Sequence, residues 1–151
     1  MTLDPTPGQT VGPFFGFALP RDGGEHVVAP GRSNAIRLRG RVYDGQGDPV
    51  PDALLEIWQA EGFGRAATDD DGQYSFTTLR PDGPFIAMTV FARGLLDRLF
   101  TRVYLTDDPF LATLPDDRGS TLLASAEEDG YVFDVHLQGD DETVFLDFTG
   151  A

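Results

Sequence analysis

Along most of this chain hydrophobic residues recur at every second position, and turn residues cut the pattern into short runs. In residues 36–42, Ile36, Leu38, Gly40 and Val42 alternate with Arg37, Arg39 and Arg41, the period of a strand with one face on a core. Asp44-Gly45 and Gly47-Asp48 tolerate positive φ, and Pro49 and Pro51 stiffen the approach to the next run. Residues 53–59 predict a second strand, with Leu55 and Ile57 inward and Trp58 on the opposite face. Beyond the turn Thr68-Asp69-Asp70-Asp71-Gly72, the residues Tyr74, Phe76 and Thr78 alternate in a third. Residues 85–91 place Ile86, Met88 and Val90 on one face and Phe85, Ala87, Thr89 and Phe91 on the other. Residues 99–105 do the same with Leu99, Thr101, Val103 and Leu105 against Phe100, Arg102 and Tyr104. Residues 106–119 read as a loop with one helical turn near 110–112. Residues 121–126 and 131–138 flank the hairpin signal Asp129-Gly130, and residues 143–148 predict a closing strand. The pattern is all-β: an antiparallel β-sandwich of about eight strands in two packed sheets.

Residues 4–20 have a different character. Pro5, Pro7 and Pro13, with Gly8 and Gly12, exclude a regular helix or central strand, yet Val11, Phe14, Phe15, Phe17 and Leu19 need cover. The segment predicts an extended N-terminal arm, either strapped across its own sheet or reaching into a neighbouring subunit. Residues 21–33 form a loop, so the chain divides into arm and loop over 1–34 and a single sandwich domain over 35–151.

Composition narrows the function classes. A chain of 151 residues with 40% hydrophobic content buries a real core, and eighteen Gly with eleven Pro fit a turn-rich fold. The net charge of −14 argues against nucleic acid and against an anionic membrane surface. No apolar run reaches membrane-spanning length and residues 1–5 do not resemble a signal peptide. The absence of Cys excludes disulfides and thiolate metal sites. The expectation is a soluble, cytoplasmic protein.

The residues alone supply no complete active site. The two His are far apart, His26 in a glycine-rich loop and His136 on the polar face of its strand, and both read as surface residues. Asp69, Asp71 and Gly72 suggest the start of a calcium loop, but the downstream Glu is missing and Gln73-Tyr74-Ser75 runs into a strand. The acidic clusters 127–129 and 140–142 lie at turns as solvated charge. Ser33, Ser75, Ser120 and Ser125 have neither an elbow motif nor a nearby His. The stripe Arg37, Arg39, Arg41 predicts pairing with cross-strand carboxylates, or else a docking surface for an acidic partner.

Several phrases, taken in order, resemble the intradiol ring-cleaving dioxygenases. Thr6-Pro7-Gly8-Gln9-Thr10-Val11-Gly12-Pro13-Phe14 is similar to that family's N-terminal arm. Gly40-Arg41-Val42-Tyr43-Asp44, Pro49-Val50-Pro51-Asp52-Ala53 and Glu56-Ile57-Trp58-Gln59-Ala60 resemble its core signature. Phe91-Ala92-Arg93-Gly94-Leu95-Leu96, Thr101-Arg102-Val103-Tyr104 and residues 138–148 resemble its alpha-type chains, which pair with an iron-bearing beta chain. Each phrase is weak alone; together they cover nearly the whole chain.

The resemblance implies a division of labour. In the family's iron-bearing chain two Tyr and two His hold Fe(III). The first Tyr follows Gly-Arg, whereas here Gly64-Arg65 is followed by Ala66. The second lies in the turn before Phe85, and Arg80-Pro81-Asp82-Gly83-Pro84 contains none. The two His stand two apart on one strand face, where this chain has Phe85 and Ala87. The implied chain binds no metal alone and has no catalytic residue of its own. Its implied partners are the iron-bearing beta subunit, which holds the Fe(III), together with protocatechuate and O2. Thr10, Gly12 and Pro13 of the arm are implied to line the substrate pocket, and Arg93 to face the substrate carboxylate; alternatively Arg93 is a turn residue bonded to a nearby Asp. The implied activity, as a subunit and not alone, is opening of protocatechuate between its hydroxyl-bearing carbons to 3-carboxy-cis,cis-muconate. Two other readings stay open. One is a transthyretin-like β-sandwich binding module, for which the arm has no use; the other is an alpha-type scaffold for a different catechol. The chain is shorter than the family pattern, mainly over 60–65 and 79–85.

Overall fold

The computed structural model describes residues 10, 12, 14–115 and 118–147. Nine strands are present among them: β1 (Ile36–Tyr43), β2 (Leu54–Gln59), β3 (Gly62–Ala67), β4 (Gln73–Thr78), β5 (Phe85–Phe91), β6 (Leu99–Tyr104), β7 (Ser125–Glu127), β8 (Gly130–Val132) and β9 (Val135–His136). They form two sheets, one ordered β4-β1-β8-β7 with β9 also on β1, the other ordered β3-β2-β5-β6. The second sheet is antiparallel throughout. The first is mixed, because β8 and β9 run parallel to β1 while β4 pairs with it antiparallel.

The alternation along the strands sets which face is buried. Leu38 and Val42 of β1 and Phe76 of β4 meet Leu55, Ile57, Ile86, Met88, Val90 and Val103 of the other sheet in one core. A smaller cluster of Tyr104, Leu111 and Leu122, with Phe85 and Phe110 against it, fills one end. The loop before β1 stitches the sheets along one side. Arg65 on β3 donates its backbone N–H to the Gly24 carbonyl, while Thr77 on β4 donates to Glu25 and Val27 donates back to Thr77. Two edge strands are thereby supplied with partners by one loop, which removes exposed edges that would invite aggregation.

Between β8 and β9 the chain leaves the ladder at Phe133-Asp134. The Phe133 carbonyl points at Gly40 on β1, where an added Cβ would come within 1.8 Å of its oxygen. The hydroxyl of Tyr74 donates to that carbonyl at 2.6 Å, and Asp134 Oδ1 accepts the Arg41 backbone N–H at 2.8 Å. Side chains thus replace the ladder bonds that the interruption removes. Burial, with a smaller contribution from Asp134, pushes the Tyr74 phenol well above its ordinary range, so the hydroxyl stays a donor.

Several expectations need correction. The stretch 62–67 is a strand that its Gly and Ala content concealed; Gly64 is small because Val27, Phe76 and Ile57 occupy the space its side chain would fill. In place of a strand over 121–126 there is a 3-10 turn, Arg118–Leu122, and only then the short β7. The Thr121 hydroxyl donates to the Arg118 carbonyl at 2.8 Å, a local bond that competes with extended pairing. The run 131–138 is split by the interruption at 133–134. Residues 143–147 are not a strand, although Leu146 donates its N–H to Phe100 and Thr143 to His136; residue 148 lies outside the described residues. The arm contains one helical turn, α1 (Phe15–Ala18), in the proline-free stretch between positions 13 and 20. Of the arginine stripe, Arg39 alone makes an ion pair among the described residues, reaching across β8 to chelate Glu127; Arg37 donates to Ser75. The helical turn expected near 110–112 is the 3-10 turn Leu111–Thr113.

Candidate functional site

The face of the second sheet that points away from the core carries the positions of interest. The register places Trp58, Ala87 and Arg102 in one row and Glu56, Thr89 and Phe100 in the next. Leu54 pairs with Phe91 beyond them. On β3, Arg65 projects to this face, donates from Nε and Nη2 to Glu56 Oε1, and from Nη1 to the Leu19 carbonyl at 3.0 Å. Phe15 of α1 packs on Phe91 with ring centroids 5.9 Å apart. The described part of the arm is therefore a strap over one end of its own sheet.

Arg93 follows β5 at that same end, two residues beyond the ring on which Phe15 sits. Gly94 adopts φ +87° and turns the chain back, which leaves the Arg93 side chain 60% exposed. Its Nε pairs with Asp52, a partner the sequence does not reveal. The cause is register: with Leu54 opposite Phe91, an extension of the ladder by two residues sets Asp52 opposite Arg93. Thr10 and Gly12 are exposed and make no hydrogen bond or ion pair to Arg93. Pro13 lies outside the described residues.

The positions matched by resemblance to iron ligands divide between two faces. Phe85 and Ala87 lie two apart on the outer face of β5, as strand alternation requires, and neither can donate a lone pair to a metal. Ala66 does not belong with them: it pairs with Leu55 and is buried in the core. No side chain at position 66 could converge with positions 85 and 87, and the mapping of the first Tyr onto Ala66 is wrong. The turn before Phe85 offers no Tyr. Among the described residues no group of three or more His, Cys, Asp or Glu is placed to hold a metal ion, and Phe85 and Ala87, which offer no lone pair, do not fit the family's iron. His26 bonds Thr77 at an exposed edge, and His136 stacks on Tyr43 at 4.9 Å.

No protein-family model matches the chain. It is 36% identical to the protocatechuate 3,4-dioxygenase alpha chain of Burkholderia cepacia over 203 aligned residues, which take in 97% of this chain and 98% of that one. The alignment is longer than this chain's 151 residues, and the connection between β2 and β3 is the two residues Ala60 and Glu61. The beta chain of the same enzyme from that organism is 30% identical over 155 residues, with 72% of this chain and 66% of that one covered. Among solved structures, the dioxygenase domain of a dioxygenase carbohydrate-binding protein fusion from Streptomyces sp. SirexAA-E superposes with a TM-score of 0.61 at 25% identity, over 90% of this chain and 99% of that one. These likenesses favour a dioxygenase chain over the transthyretin-like module. No helix among the described residues is long and apolar enough to cross a membrane. A 36% identity that runs nearly end to end with an alpha chain settles the affiliation: the chain belongs to the intradiol ring-cleavage dioxygenases, among the alpha chains of the protocatechuate 3,4-dioxygenases.

Proposed function

We propose that this chain is the non-ligating half of a cytoplasmic protocatechuate 3,4-dioxygenase whose ferric iron is held by a beta chain of the same fold. The observation that carries this reading is Phe85 beside Ala87 on the outer face of β5, where an iron-bearing chain needs two donors. Iron in the beta chain supplies the oxidative chemistry that opens protocatechuate with O2. This chain's part is to shape and dry the pocket. Thr10, Gly12 and Pro13 of the arm line it, and Arg93 presents a cation to the substrate carboxylate. Asp52 takes the Nε side of the Arg93 guanidinium, which leaves the Nη pair as the fork for a second carboxylate. In the proposed division over 1–34 and 35–151, the arm makes the contacts with the partner and the sandwich is the scaffold, the loop at 24–27 tying one to the other.

The direct test is metal content. The lone chain, mixed with Fe(III) and desalted, is expected to retain no stoichiometric iron and to show no visible tyrosinate band. A one-to-one coloured complex from this chain alone overturns the non-ligating role. Assembly gives a second expectation. Phe14 and Phe17 are 75% and 85% exposed, apolar surface of the kind that marks an interface. In size-exclusion chromatography the lone chain is expected to self-associate, and co-expression with an iron-bearing beta chain to yield a discrete hetero-oligomer. A well-behaved monomer that ignores the beta chain speaks against the reading.

A further inference from the structure

α1 covers one end of the second sheet's outer face and leaves the other end bare. There Trp58, Phe85, Ala87, Phe100 and Leu146 border a groove of about 310 Å³. Its walls are mostly apolar, with Thr89, Thr101 and Arg102 also in the lining, and Trp58 remains 54% exposed. A cavity of about 150 Å³ accommodates benzene, so this groove has room for one aromatic ring with a substituent.

Charge at the groove runs against the rest of the molecule. The chain carries −14 overall, yet two guanidinium groups border this apolar patch. Arg102 lies over the Phe85 ring at 4.5 Å and over the Phe110 ring at 5.1 Å. Arg98 lies over the Phe100 ring at 4.9 Å. Among the described residues neither is in an ion pair. A guanidinium whose faces are taken by aromatic rings keeps its in-plane N–H groups, and those suit a planar carboxylate. Ala87 carries only a methyl group, which leaves the floor of the groove open.

We propose that this groove is a binding site for a single aromatic ring that carries a carboxylate. The ring lies between Trp58 and Phe85 over Ala87, and the carboxylate pairs with Arg102 while Arg98 supplies a longer-range positive field. No metal or redox step is involved, and the site does not depend on the alpha-chain reading given above.

Trp58 is the chain's single tryptophan, so its fluorescence reports on the groove directly and at high dilution, where self-association is weak. Benzoate, which barely absorbs where tryptophan is excited, is expected to change the emission saturably. Benzyl alcohol, the same ring without the charge, is expected to bind at least about tenfold more weakly. Arg102→Met should weaken benzoate by about tenfold or more, and Ala87→Leu should abolish binding by filling the floor. If Arg102→Met melts at lower temperature than the parent, Ala87→Leu decides, because it leaves both guanidinium groups in place. Equilibrium dialysis of labelled benzoate against the assembled α/β complex repeats the comparison: each variant is expected to lose one bound benzoate per pair. No saturable change, equal affinity for benzyl alcohol, or unaltered uptake in Ala87→Leu overturns the proposal. So does an emission change produced by the beta chain and not by benzoate, because that makes the groove a subunit contact. None of these readouts uses turnover or iron, so failure here leaves the proposed subunit role standing, and the converse holds.

Discussion

Gly40→Ala is expected to destabilise the chain by about 3–5 kcal/mol, a large part of the ~5–15 kcal/mol that holds a domain of this size together. The added Cβ would stand 1.8 Å from the Phe133 carbonyl oxygen and 2.6 Å from its carbon. Both are backbone atoms, so no rotamer change relieves the overlap. The β8–β9 connection must move, at about 1–3 kcal/mol for forced repacking. Its movement takes the carbonyl away from the Tyr74 hydroxyl, and a buried acceptor left unpaired costs about 1–3 kcal/mol more. Tyr74→Phe isolates the second contribution, since it removes the 2.6 Å bond without touching Gly40. The single changes should be distinctly sub-additive in combination, because both act through the same carbonyl. Thermal melting and soluble yield on co-expression with the beta chain measure the effect. A Gly40→Ala protein melting within ~2 °C of the parent would show that the connection yields freely.

That carbonyl also shows where the sequence stops being informative. The inner faces of β1, β2, β4, β5 and β6 are legible because a buried strand face must be apolar at every second residue. Nothing local says that the run 131–138 is broken at Phe133, because the cause is the absence of a side chain at Gly40, far off in sequence. β3 was hidden for the same kind of reason: Gly64 and Ala66 are small to make room for what packs on them, including Val27 and Phe76, and small residues carry no strand signal. A strand over 62–67 also changes the site. Once 62–67 is a strand, alternation turns Arg65 outward and Ala66 inward, and Ala66 ceases to be a candidate ligand position. Phe85 and Ala87 were readable without the structure, because period two within β5 fixes their common face. Asp52 was not, since its place beside Arg93 is set by the pairing of Leu54 with Phe91, a long-range register that neither segment encodes alone.

Arg93→Ala in the α/β complex is expected to lower kcat/KM for protocatechuate about ten- to a hundredfold, the loss of one charge-assisted contact worth about 1.5–3 kcal/mol. Assembly, iron content and colour should be unchanged. Stability should hardly move, because an ion pair with an arginine 60% exposed contributes about 0–1 kcal/mol at most. Catechol lacks the carboxylate, so its turnover should stay where it was, and the variant loses discrimination between the two substrates while keeping the chemistry. Asp52→Asn separates this from the structural alternative. If Arg93 serves only to hold the turn after β5 against Asp52, the two substitutions break the same pair and should produce the same small loss on both substrates. If Arg93 faces the substrate, Asp52→Asn removes only the group that orients it. Discrimination then persists in reduced form, with KM for protocatechuate rising more than kcat falls. Equal behaviour of Arg93→Ala and Asp52→Asn on protocatechuate and catechol would return Arg93 to a turn residue.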